Sequence, residues 1–380
     1  MTTSTLAADT WSPTPDYVIA ACWQGQHDGA VVLKDGTKIL VAGGANATGA
    51  GLRDSAVFDL TAGTWSTTIL LGTTRQLHTL TLLPSGKVLA AGGISTSNGS
   101  PLKTAEIFDP TEKKWLPTTN AMAVGRVGHS ATVLDNGLVL VAGGSGQRTG
   151  GGTVASRSAE LFNPEDQTWQ PVEHDMTDAR TGHAAIALQD GKKVLVCGGG
   201  VPVGTADQAD LAFCELYDTA TKKWTPTGTM HHARGAHSAT ALSATTVLVA
   251  GGRAPGASAD GFDPFARATA EVYNVTSQTW QEVSPMPAGR TFHRGVPFGA
   301  GKALIVGGAD HADNEAGYRG VLQFAAGAWT PFAGLVEGRW AFAAAASGTK
   351  LLVAGGIART GLAAAAGPVE LTATAERSGT

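Results

Sequence analysis

The sixteen residues from His129 to Gly144, HSATVLDNGLVLVAGG, decide the fold. Two short apolar runs flank Asp135-Asn136-Gly137, and a turn of that composition between β-prone runs reads as a hairpin. The second run ends in Gly143-Gly144, and the same ending recurs at Gly44, Gly93, Gly199, Gly252, Gly308 and Gly356, giving seven copies 48 to 56 residues apart. A variable loop follows each pair of glycines and leads to a third run, as in AEIFDP (Ala105 to Pro110) and AELFNP (Ala159 to Pro164). Trp65, Trp115, Trp169, Trp224, Trp280 and Trp329 then mark a fourth. Each unit is therefore four antiparallel strands, and units of this period bury their faces against one another.

Six tryptophans follow seven glycine pairs, and the missing one is Trp11, ahead of the first pair. The last unit has a third-strand candidate, VELTAT (Val369 to Thr374), and no tryptophan behind it. The spacing predicts an all-β, seven-bladed propeller over residues 11–374, closed by an N-terminal outer strand paired with the C-terminal blade, with tails at 1–10 and 375–380. Radial closure leaves only short, protected edges.

Composition agrees. Glycine is 51 of 380 residues, charged residues are 15%, and the net charge of −4 argues against a general nucleic-acid or membrane-surface binder. No stretch approaches the roughly 18 apolar residues of a membrane span. Met1 to Thr10 carries no leader pattern, and three widely spaced cysteines make no disulfide framework. The expectation is a cytoplasmic protein with neither nucleic acid nor membrane as partner.

The glycine pairs, the spaced aromatics, the tryptophans and the Arg-x-x-His approach to each first strand resemble bacterial kelch repeats of the galactose-oxidase-like superfamily, across residues 11–374. The resemblance implies the propeller. It leaves function open, because that fold hosts enzymes, adaptors and scaffolds alike.

The repeated polar residues read first as structure. Arginine precedes the histidine position by three in six blades (Arg75, Arg126, Arg180, Arg234, Arg290, Arg339), and histidine itself stands at His27, His78, His129, His183, His237 and His293. Glu106, Glu160, Glu215, Glu271 and Glu370 open the third strand in five blades. Antiparallel order puts the starts of strands one and three on one face of the disc, so arginine and glutamate can pair there. Blade 1 lacks both, with Gln24 and Ala56 instead.

Where the repeats break, a site is expected. Blade 6 keeps Arg290 but has Leu322 at the glutamate position, and an unpaired buried guanidinium is costly. Arg294 follows His293, and the glycine-pair loop holds Asp310, His311, Asp313, Glu315 and Tyr318. Blades 7 and 1 bring Trp340, Phe342 and Trp23. The expected pocket has Trp23 and Trp340 as apolar walls, with Arg290, Arg294, His293, Gln24, Arg339 and Arg126 as polar fixtures. The competing account is that this sector is irregular because the ring closes there. His311, Asp310 and Asp313 are the candidate proton-transfer groups. Asp-His-x-Asp has no second cluster at fixed spacing, so no metal and no cofactor are expected.

The expected function is binding of an anionic or polar small molecule, or an acidic peptide, at an arginine-lined mouth. The kelch resemblance supplies that precedent, since kelch domains recognise acidic peptides. It also supplies the alternative of an isomerase or cyclase, after the kelch-type sugar mutarotases, and a third reading as a protein scaffold. The resemblance to copper radical oxidases does not extend to a site, because Tyr17, Tyr217, Tyr273 and Tyr318 show no tyrosine–cysteine partnership beside two non-repeat histidines.

Overall fold

The computed structural model describes residues 10–23, 29–96, 99–147, 153–203, 207–253, 266–309, 317–359 and 370–378. Blade 2 sets the pattern: strands Thr79–Leu82, Val88–Ala91, Ala105–Asp109 and Lys114–Pro117 pair antiparallel in that order. Blades 3 to 6 repeat it from inner strands Ser130–Val133, Ala184–Leu188, Ser238–Ala241 and Arg294–Pro297. The inner strands touch their neighbours all the way round, from Ala30–Val32 of blade 1 to Ala343–Ser347 of blade 7 and back, so the ring is closed.

Closure uses the N-terminus, one segment later than expected. Trp11–Thr14 pairs with Ala375–Ser378, with Trp11 opposite Ser378, and not with Val369 to Thr374. The alanine–glutamate pair that opens other third strands recurs at Ala375-Glu376. Glu376 lies opposite Val353 as Glu106 lies opposite Ala90. The segment 375–380, assigned to a tail, thus supplies a strand, while Glu370-Leu371 forms a short hairpin with Ile357–Arg359. Of the expected N-terminal tail, residues 1–9 lie outside the described residues.

Two features lock blade to blade. The apolar run of each second strand is buried, as in Val139–Ala142, and the apolar clusters take residues from adjacent blades. Burying each such aliphatic side chain stabilises by roughly 1.5–3 kcal/mol. Five of the outer tryptophans reach the preceding blade through their indole N–H: Trp11 to Ala333 O at 2.8 Å, Trp65 to Pro15 O at 2.8 Å, Trp115 to Ser55 Oγ at 3.0 Å, Trp280 to Gly228 O at 2.7 Å and Trp329 to Ser284 O at 2.6 Å. Blade 1 departs from the four-strand pattern. Its outer strand is only Thr64–Trp65, and Ile69–Arg75 returns to pair with the first half of the long third strand Leu52–Asp59.

The glycine pairs have a steric cause. Gly143 and Gly144 have φ of 63° and 85°. A Cβ on Gly143 would lie 2.7 Å from His183 Cε1 of the next blade, and one on Gly144 would lie 2.7 Å from Val127 O. Only glycine accepts both the left-handed backbone and that approach. No helix among the described residues is long and apolar enough to cross a membrane.

Candidate functional site

The disc face bearing the glycine-pair loops, here the upper face, also bears the Arg-x-x-His segments. The arginines point into their own blades. Arg126 donates through Nη1 to Gly143 O (3.0 Å) and Ser158 O (2.8 Å), and through Nη2 to Ser158 Oγ (2.9 Å) and Glu160 Oε1 (3.0 Å). Glu160 in turn accepts the backbone N–H groups of Ala123 and Val124. Arg75–Glu106, Arg234–Glu271 and Arg339–Glu376 repeat this at 2.7, 2.8 and 2.8 Å, while Arg180 and Glu215 form an ion pair at 3.7 Å, too long for a hydrogen bond. The partner of Arg339 is thus Glu376 and not Glu370. All five arginines are fully buried. Arg126 and Arg339, expected to meet a ligand, fasten the second and third strands of their own blades instead. The mouth is not lined by these arginines.

The histidines form a second belt. His129 Nε2 meets Thr79 Oγ1 at 3.2 Å, His183 Nε2 meets Ser130 Oγ at 2.9 Å, and His293 Nε2 meets Ser238 Oγ at 2.9 Å, each bond joining one blade to the previous one. Burial, and then Arg126, lowers the His129 pKa to about 3, and burial also holds His78 well below the ordinary range. His78 and His129 are thus held neutral, and the belt as a whole braces blade to blade. His293, expected in the pocket, is one of them.

Between arginine and histidine sits a residue that the sequence did not single out. Leu77, Gly128, Gly182, Ala236, Phe292 and Ala341 all have φ between 51° and 61°. Their backbones link around the mouth: Gly182 N–H to Gly128 O, Gly128 N–H to Leu77 O, Phe292 N–H to Ala236 O, Ala341 N–H to Phe292 O and Trp23 N–H to Ala341 O. The rim is therefore main chain with small or apolar side chains. Inside it a cavity of about 160 Å³ is lined by His78, His129, His183, Ser130, Ser238 and Arg294, among others.

This belt places Trp23 and corrects the reading of blade 1. Gly356 N–H bonds Ala21 O as Gly44 N–H bonds Arg75 O, so Ala21, and not Gln24, stands at the arginine position. Gln24, His27 and Asp28 lie outside the described residues. Blade 1 replaces the charged pair with neutral groups. The buried Tyr17 hydroxyl lies 3.3 Å from both Val41 O and Asp54 O, and burial keeps it protonated by raising its pKa. Trp23 is 1% exposed, bonds Ala42 O at 3.1 Å and covers Gly355, where the other blades have a histidine over the preceding glycine. Phe342 covers Gly307 in the same way. Trp340 is 4% exposed and stacks on Phe292, with centroids 5.3 Å apart. Neither tryptophan is an open wall, because each fills a gap between blades.

Arg294 is a strut. Its Nε donates to Phe342 O at 2.7 Å and its Nη2 to Trp23 O at 2.9 Å, and its guanidinium lies over the Phe342 ring at 5.7 Å. It thus ties blades 6, 7 and 1 together.

Arg290 differs from every other blade arginine. Nη1 keeps the two carbonyls, Gly307 O and Gly320 O, both at 3.0 Å. Leu322 stands at the glutamate position, buried in the core. Gly320 stands where Ser158, Thr269 and Thr374 offer Nη2 a hydroxyl. Pro287, without an N–H, stands where Ala123 supplies the first donor to Glu160. Among the described residues Nη2 has thus lost both acceptors. A Cβ built on the exposed Gly320 would meet, among the described residues, only Arg290 Nη2, at 3.8 Å, so none of them covers the side of the guanidinium that faces Gly320. Arg290 is 4% exposed where the other five are 0%. Its guanidinium lies over the Tyr318 ring at 5.0 Å, and burial lowers its pKa to about 10. The pattern Pro-Ala-Gly-Arg against Ala-Val-Gly-Arg, together with Gly320, was the available signal.

The proton-transfer candidates His311, Asp310 and Asp313 lie outside the described residues, as does Glu315. Among the described residues no group of three His, Cys, Asp or Glu could hold a metal ion. Tyr217 and Tyr273 are packed against Trp224 and Trp280, and Cys197 and Cys214 lie opposite one another inside blade 4.

Residues 39–316 match the Attractin/LZTR1 beta-propeller family. The chain belongs to that family. It is 28% identical over 167 residues to Kelch-like protein 34 of Homo sapiens, a match covering 43% of this chain and 24% of that protein. It is 24% identical over 257 residues to Kelch-like protein 36 of Bos taurus, covering 67% of this chain and 39% of that one. The matched segments therefore cover well under half the length of these kelch relatives. A fungal alcohol oxidase of the AA5 family, solved in complex with copper, has the same fold, with a TM-score of 0.73 over 98% of this chain and 76% of its own, at 16% identity. That likeness shows the fold alone.

Proposed function

We propose that this propeller is a binding module that takes a carboxylate of its ligand, a small acid or an acidic peptide, on the upper face at blade 6, with Arg290 as the anchor. The observation that carries the reading is the open Nη2 of Arg290. Five blades supply that atom with a glutamate, and blade 6 withdraws the glutamate and offers an opening over Gly320. A guanidinium bound to a carboxylate forms a strong, charge-assisted hydrogen bond, most of all where water is scarce. The ligand completes what Leu322 leaves undone. Kelch relatives are consistent with a partner-binding role, and Cys197 and Cys214, buried opposite one another without a disulfide, suit a reducing compartment such as the cytoplasm.

Thermal unfolding with succinate and with a glutamate-rich peptide tests the reading. The wild type is expected to gain several degrees in Tm at saturating ligand, and Arg290→Met to gain none. Equal stabilisation of both proteins would remove Arg290 from the site.

A further inference from the structure

We infer that Phe292 selects what the carboxylate is attached to, favouring a flat aromatic group; this rests on Arg290 being the anchor. Six rim residues share the left-handed backbone, and the others are leucine, alanine or glycine. Phe292 is the aromatic among them. A side chain at φ 52° is held against its own preference, and such positions persist where the surroundings fix them and gather at sites of recognition. The surroundings do fix it: Phe292 N–H donates to Ala236 O, and Phe292 O accepts from Ala341 N–H.

One face of the ring is supported. Phe292 lies on Trp340, centroids 5.3 Å apart with planes at 40°, while the phenylalanine itself stays partly exposed. The Trp340 indole N–H is buried without a hydrogen-bond partner, at a position held by Gln76, Val127, Thr181 and Thr291 in other blades. The shelf belongs to the same blade junction as the anchor. Phe292 is two residues from Arg290. Tyr318, whose ring underlies the Arg290 guanidinium, accepts through its carbonyl the N–H of Arg339, the residue before Trp340. Two stacked pairs, cation on Tyr318 and Phe292 on Trp340, therefore belong to the junction where blade 6 meets blade 7. Offset stacking on such a ring rewards a planar ligand group over an aliphatic one.

The test compares phenylacetate with acetate, each titrated by NMR against wild type, Phe292→Gly and Arg290→Met. Phe292→Gly is chosen because glycine accepts this backbone and leaves the fold intact. Wild type is expected to bind phenylacetate at least fivefold more tightly than acetate. Phe292→Gly is expected to bring that ratio to about one while acetate affinity stays unchanged. A ratio retained in Phe292→Gly overturns the selectivity while leaving the anchor standing. Failure of wild type to bind either acid, or undiminished binding by Arg290→Met, overturns the anchor and the inference with it.

Discussion

Blades 3 and 6 place the same arginine in the same backbone and treat its charge in opposite ways. In blade 3 the guanidinium of Arg126 meets Glu160, Ser158 and two carbonyls, and Glu160 is itself capped by two backbone N–H groups. In blade 6 the two carbonyls remain, while the glutamate has become Leu322, the hydroxyl-bearing residue Gly320 and one N–H donor Pro287. Three coordinated losses around an arginine that is kept make different demands from a lapse in one position. The pair in blade 3 is a fastener between strands. The cation in blade 6 is held ready by Tyr318 and left open on one side. Blade 1 shows the third solution, in which Ala21 and Ala56 remove both charges and Tyr17 covers the freed carbonyl of Asp54.

The comparison breaks most readily at the fastener. Glu160→Ala strands a buried guanidinium, and a loss of about 3–5 kcal/mol is expected in urea unfolding. Arg290→Met removes an already unpaired charge, and a loss below about 2 kcal/mol is expected, mainly from two carbonyls losing a donor. Equal losses would mean that blade 6 is as tightly fastened as blade 3.

Acid sharpens the contrast between braces and site. The neutral imidazole of His129 has its pKa lowered to about 3 by burial, against about 6.5 in the unfolded chain. The unfolded chain binds the extra proton, so this contribution is complete above about pH 6.5 and is lost as pH falls toward 3. Its slope is about 1.4 kcal/mol per pH unit in that window. His129→Phe copies the natural Phe342 of blade 7 and is expected to flatten the stability–pH profile between pH 6 and 4 by about that slope. An unchanged profile would show that His129 is protonated in the folded ring.

Much of the architecture was legible because it is written seven times. The glycine pairs, the tryptophans and the closure by Trp11 follow from spacing, and the arginine–glutamate pairing follows from their joint absence in blade 1. Misreadings came where one copy offered two choices. Blade 7 has Glu370 and Glu376, and only the latter follows alanine at the start of a strand. In blade 1 residues intervene between Trp23 and the inner strand, so counting back from the strand gave Gln24 the place held by Ala21. The direction of a side chain was the deeper obstacle. Spacing put six arginines on the upper face. It did not show that five turn inward to Glu106, Glu160, Glu215, Glu271 and Glu376, or that Trp23 and Phe342 stand in for histidines between blades.

The most direct measurement rebuilds the fastener in blade 6. Pro287→Ala, Gly320→Thr and Leu322→Glu together give Arg290 the partners that Arg126 and Arg234 possess. The triple variant, titrated calorimetrically with succinate beside the wild type, is expected to fold at an equal or higher Tm and to bind at least tenfold more weakly. Succinate affinity undiminished in a folded triple variant would contradict the assignment of the open guanidinium as the ligand's anchor.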